Sequence, residues 1–190
     1  MRLPSTTTFV MTLVLAATAA AAQAAPDPAA APKAAPVSTQ PQSTSATYGD
    51  WALVCQQVVL TGTETRRICE ISQTLQAQGV KEPIAQIAFG RPQKADPLNM
   101  TVLLPVNIAL DKGVKVFSEA SDGVAADLSW RKCTPGGCFA DTKVSADILK
   151  RWRTAGERGR IELRNANGQD VALPISLRGF AQAMDALPTD

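Results

Sequence analysis

Histidine is absent from all 190 residues. With it go the usual general base, the commonest metal ligand and the side chain whose charge switches near neutral pH. Serine and cysteine hydrolases built on a histidine base are thereby excluded. Aromatic residues are scarce at 5%, with a single tyrosine, so Trp51, Trp130 and Trp152 stand out. Each falls on an apolar face of the local pattern, which reads as core packing rather than a sugar-stacking platform. Neither sign of charge dominates: the net charge is +2, and that balance calls for no nucleic-acid partner. No apolar run reaches the roughly 20 residues that a membrane-spanning helix requires. No transmembrane span is therefore expected in the mature chain.

The one long apolar run, from about Phe9 to Ala22, follows Arg2 and leads into Ala22-Gln23-Ala24. A positive start, an apolar stretch and small residues at its end are the order of a secretory signal peptide. Residues 1–24 are thus expected to be a cleaved leader. No cysteine follows the small-residue site, which argues against a lipid anchor. Residues 25–46 are mostly Ala, Pro, Ser, Thr and Gln, with Asp27 and Lys33 the only charges. So little apolar bulk cannot offset the entropy of ordering, and the segment reads as a disordered linker. Residues 47–190 then form one domain, long enough to bury a core.

Within that domain apolar residues recur at every second position. Leu98, Met100, Val102 and Leu104 give the clearest run, and Trp51-Leu53-Cys55, Ala85-Ile87-Phe89 and Val124-Ala126-Leu128-Trp130 follow the same rule. Val106, Ile108 and Leu110 extend the pattern, with Val114 and Val116 beyond an Asp111-Lys112-Gly113 turn. Ile161-Leu163 and Val171-Leu173-Ile175 flank Asn165-Ala166-Asn167-Gly168, a hairpin signal. Two helices interrupt the strands. Ser145 caps the first, whose apolar face is Ile148, Leu149, Trp152 and Ala155 and which Gly156 ends. The second starts after Ser176 and buries Phe180, Met184 and Leu187. The fold class expected is mostly β: an antiparallel sandwich or barrel-like domain of about ten strands, with two short helices near the C-terminus.

Four cysteines, an even count in an exported chain, imply two disulfides. Three connectivities are possible, and turn geometry favours the two local ones. A Cys55–Cys69 bridge centres a hairpin on Gly62 and sets Leu53 opposite Ile71 and Trp51 opposite Gln73. Cys133 and Cys138 enclose Thr134-Pro135-Gly136-Gly137, a turn that brings their Cα atoms within bridging reach.

Tyr48-Gly49-Asp50-Trp51 leading to Cys55, Cys69-Glu70 with Gln73, Cys133-Thr134-Pro135-Gly136-Gly137-Cys138 and the closing Leu173–Phe180 together resemble the invasion-associated locus B family. The resemblance spans essentially the whole mature domain. It implies export in a Gram-negative bacterium, to the periplasm or the outer surface, and a link to host-cell entry. It supplies no catalytic residues.

Without histidine little chemistry remains open. No Ser-x-x-Lys motif is present. A carboxylate pair among Asp96, Asp111, Glu119, Asp122 and Asp127 is outweighed by their turn contexts. Cys133 and Cys138, with four residues including a proline and two glycines between them, read as a structural staple rather than a redox pair. Zinc would need all four cysteines or carboxylates at a spacing that matches no ordinary site. No metal or cofactor is expected. A basic cluster of Lys143, Lys150, Arg151, Arg153, Arg158, Arg160 and Arg164 is interspersed with acids. Lys150, Arg151 and Arg153 lie off the apolar helix face and are the candidate contact with an anionic ligand or an unknown protein partner. The function expected is noncatalytic binding in the envelope, supporting invasion or envelope adaptation. An accessory or inhibitory subunit docking on another envelope protein is the alternative, and an unrecognised hydrolase a third.

Overall fold

The computed structural model describes residues 41–60, 64–93, 96–119 and 124–189. The expected leader, all but the end of the linker, the Gly62 turn and Asp122 lie outside these residues.

Ten strands and two helices follow in chain order: β1 Ser43–Tyr48, β2 Trp51–Val59, β3 Thr65–Gln76, β4 Pro83–Gly90, β5 Asn99–Leu104, β6 Val114–Ser118, β7 Ala126–Thr134, β8 Gly137–Lys143, α1 Ala146–Thr154, β9 Arg158–Arg164, β10 Asp170–Ser176 and α2 Phe180–Ala186. All pair antiparallel in one curled sheet of order β1-β2-β3-β4-β5-β8-β7-β6-β9-β10. Of the two expected forms it is the barrel-like one.

Alternation sets which face is buried. In β5, Met100, Val102 and Leu104 are inside while Asn99, Thr101 and Leu103 are partly covered. Burying each such side chain contributes roughly 1.5–3 kcal/mol. The inward residues of the strands join one core with Trp152 of α1 and Phe180, Ala183 and Met184 of α2. Its centre is a ring cluster. Phe180 stands edge-on to Trp51 and Phe89 at 5.1 Å and to Trp152 at 5.7 Å, a geometry that adds to simple burial. Ser145 caps α1 by accepting the Ile148 N–H at 3.2 Å. The Asn165 side chain closes the β9–β10 turn by accepting from Asn167 and Gln169.

Three local expectations are corrected. β1 begins at Ser43, so the linker boundary expected at residue 46 falls inside a strand whose ladder with β2 orders a Ser/Thr-rich segment. Val106, Ile108 and Leu110 form no strand: the chain leaves the sheet at Pro105, Val106 and Leu110 are exposed, and Ile108 makes only an isolated bridge to Asn165. Trp130 is half-buried rather than core. A bulge between Trp130 and Lys132 shifts the register there, and the indole N–H donates to Lys112 O at 2.7 Å.

Candidate functional site

Motif residues from three stretches, residues 48–51, Gln73 and residues 176–179, converge on one seam, where the β1–β2 turn meets the chain leaving β10. Gly49 takes a left-handed φ of 58° in that turn, and a Cβ on it would stand 2.5 Å from Arg178 O. Gly179, with φ 85°, abuts Tyr48 O so closely that any side chain would clash. Two glycines are thus needed for the two backbones to touch. Between them Asp50 N–H donates to Arg178 O at 3.1 Å, and the Asp50 carboxylate accepts from Arg178 Nη2 at 2.6 Å and Nε at 3.2 Å. Hydrogen bonds from Arg178, then from the Ser176 hydroxyl, hold the Asp50 carboxyl below its usual range. Its contribution is therefore fully present above the ordinary aspartate value and fades only as pH falls below it.

Beneath this pair lies Gln73, buried on β3. Its Nε2 donates to Ser176 O at 3.1 Å and Asp50 O at 3.2 Å, while its Oε1 accepts the Ser176 N–H at 2.9 Å. Trp51 Nε1 also donates to Ser176 O, at 2.9 Å. One amide side chain thus meets both backbone groups of Ser176, as a neighbouring strand would. Beside the seam opens a cleft of 760 Å³, walled by Gln76 and Ile84 on one side and by Pro174, Ile175, Glu157 and Arg158 on the other.

A family model described as invasion associated locus B (IalB) protein matches residues 51–188. The chain belongs to this family. Among similar curated proteins are the invasion protein B homologs of Brucella abortus strain 2308 and of biovar 1 strain 9-941. Each is 27% identical over 142 residues, covering 74% of this chain and 77% of the relative. The crystal structure of invasion associated protein b from Bartonella henselae superposes with a TM-score of 0.62 at 16% identity, over 75% of this chain and 94% of the other. That likeness shows a shared fold.

In this family member the basic helix is partly neutralised. Lys150, Arg151 and Arg153 are all exposed on α1. Arg153 Nη1, however, donates to Asp185 of α2 at 2.6 Å, which ties the two helices together. Further along the cluster Arg158 pairs with Glu119 at 3.4 Å and Arg164 with Asp170 at 3.0 Å. Arg160 pairs with Glu162 at 2.6 Å while lying over the Phe117 ring. Among the described residues Lys143, Lys150 and Arg151 have no carboxylate within ion-pair distance.

The cysteines form Cys55–Cys69 and Cys133–Cys138, each pair directly opposed in its ladder. Leu53 faces Ile71 as the hairpin register requires. The weighed carboxylates are scattered: Glu119 is held by Arg158, Asp127 pairs with Lys115 at 3.6 Å, and Asp96 N–H closes a turn onto Gln93 O. Among the described residues no group of three or more Cys, Asp or Glu side chains could hold a metal ion.

The seam itself is not legible in the sequence, although Gly49, Asp50, Gln73 and Ser176 stand in its motifs. The signal was present in one place: Gln73 is a polar residue at an inward position between Ile71 and Leu75.

Proposed function

We propose that this family member is exported to the envelope and works without catalysis. It binds an unknown protein or an anionic component of the envelope or host surface, in support of host-cell invasion or envelope adaptation. The seam carries this reading: Asp50, Gln73, Ser176 and Arg178 are spent on each other. Gln73 has both amide atoms matched and Asp50 is a weakened base, so what remains for function is the outer surface. The apolar leader and the pairing of all four cysteines support an oxidising, exported setting.

On that surface the contact proposed is the outer side of α1, through Lys150 and Arg151. Arg153 belongs to the same face, but its bond to Asp185 makes it the helix–helix tie. The alternative, docking on another envelope protein, is favoured by a second feature: a 440 Å³ groove lined by Ile84, Leu104, Pro105, Val106 and Pro135, with Val106 62% exposed.

Crosslinking in intact cells, with the captured partner identified, separates the two. The Lys150→Glu/Arg151→Glu variant should change stability by less than about 0.5 kcal/mol. It should weaken partner binding and flatten its salt dependence, because exposed charges act through long-range attraction. Capture unaffected by the reversal would remove α1 from the contact and point to the apolar groove. A loss of capture with an unfolded variant is distinguished by its thermal transition.

A further inference from the structure

The two outer strands of the sheet leave their edges in opposite states. Past the end of β10, Leu177 N–H donates to Glu157 O at 2.8 Å. Odd-numbered residues therefore turn their backbone groups toward β9, and Ala172, Pro174 and Ser176 turn theirs to the open side. Pro174 has no N–H to offer there, and both groups of Ser176 are taken by Gln73. That edge is guarded against further pairing.

Among the described residues β1 has no such guard. Gln57 N–H donates to Gln42 O at 2.8 Å, so even-numbered residues face β2 and Ser43, Ser45 and Thr47 face outward. All three are exposed, and the strand contains no proline and no charge.

We propose that β1 is a pairing edge and that its occupant is β1 of a second copy of this chain, antiparallel across a two-fold axis at Ser45. About that axis Ser45 meets its own counterpart, and Ser43 meets Thr47 of the other copy. Each is a hydrogen-bonded pair, so every outward N–H and C=O on both strands finds a partner. No like charges are opposed, which a charged edge could not achieve with itself. The contact is isologous, and the guarded β10 edge stops the sheet from growing further, so the product is a closed dimer. This inference is independent of what the surface binds.

The test uses the full chain exported with its own leader and purified with both disulfides formed. Light scattering over a wide concentration range should give twice the monomer mass, falling on dilution. Ser45→Pro removes an N–H that faces away from β2, so the thermal transition should persist while the mass drops to that of the monomer. Should that variant fail to fold, two cysteine variants decide. Ser45→Cys sets two Cα atoms about 5.5 Å apart across the axis, within disulfide range, and mild oxidation should yield a covalent dimer. Thr47→Cys, which faces Ser43 of the other copy, should not. A wild-type chain that stays monomeric throughout, a folded Ser45→Pro dimer, or equal crosslinking by both cysteine variants would overturn the proposal.

Discussion

Gln73 occupies a position where strand alternation asks for an apolar side chain. Ile71 and Leu75, on the same face, are buried, and Gln73 itself is only 7% exposed. A polar group so placed destabilises the fold unless it is hydrogen-bonded. Its amide meets that condition on backbone groups 103 residues away in the chain. Gln73→Leu keeps the apolar volume but strips the Ser176 N–H of its acceptor, while Ser176 O keeps the Trp51 indole. The unmatched donor should cost roughly 1–3 kcal/mol, read as a lower midpoint in urea with an unchanged slope. A neutral result would mean that Trp51 and the Asp50–Arg178 pair hold the seam unaided.

At the scale of elements, α1 shows what alternation and capping can reveal. Its Ser145 cap, its apolar face and the burial of Trp152 are all readable locally, because a helix of this length is decided by its own residues and one face. Trp152 is 2% exposed and packs edge-on against Phe89 and Phe180. Trp152→Ala should therefore destabilise the domain by roughly 3–5 kcal/mol, with loss of near-ultraviolet dichroism as the ring cluster loosens. A change below about 1 kcal/mol would show that α1 is only loosely seated. The strands from β2 to β5 were legible for a similar reason, each carrying its own period of two. β1 was not, since Ser, Thr and Ala carry no strong apolar alternation and only the ladder with β2 orders them. Val106 and Leu110 misled in the other direction: their spacing is strand-like, yet Pro105 takes the chain off the sheet before them. The seam lay beyond reach because Trp51 and Ser176 are 125 residues apart and meet only once ten strands have curled.

For the whole molecule, that closure makes the two disulfides unequal. Cys55–Cys69 lies in the same hairpin as Trp51 and Gln73, which must both reach Ser176 O. A slip of one residue between β2 and β3 would turn Gln73 to the other face and leave Ser176 without its surrogate strand. The bridge forbids that slip, whereas Cys133–Cys138 ties a tight turn between β7 and β8 that the ladder already fixes. Chain entropy points the same way: separations of 14 and 5 residues correspond to about 3 and about 2 kcal/mol. Cys55→Ser/Cys69→Ser should thus lose more than the entropic figure, because the seam fails with the register. Cys133→Ser/Cys138→Ser should lose no more than its own. Urea unfolding of both variants gives the two losses directly. Adding Gln73→Leu to the first should cost less than it costs alone, since a seam already out of register has little left to lose. Full additivity of those changes, or a larger loss from the second bridge, would mean that the curled sheet keeps its register without help from Cys55 and Cys69.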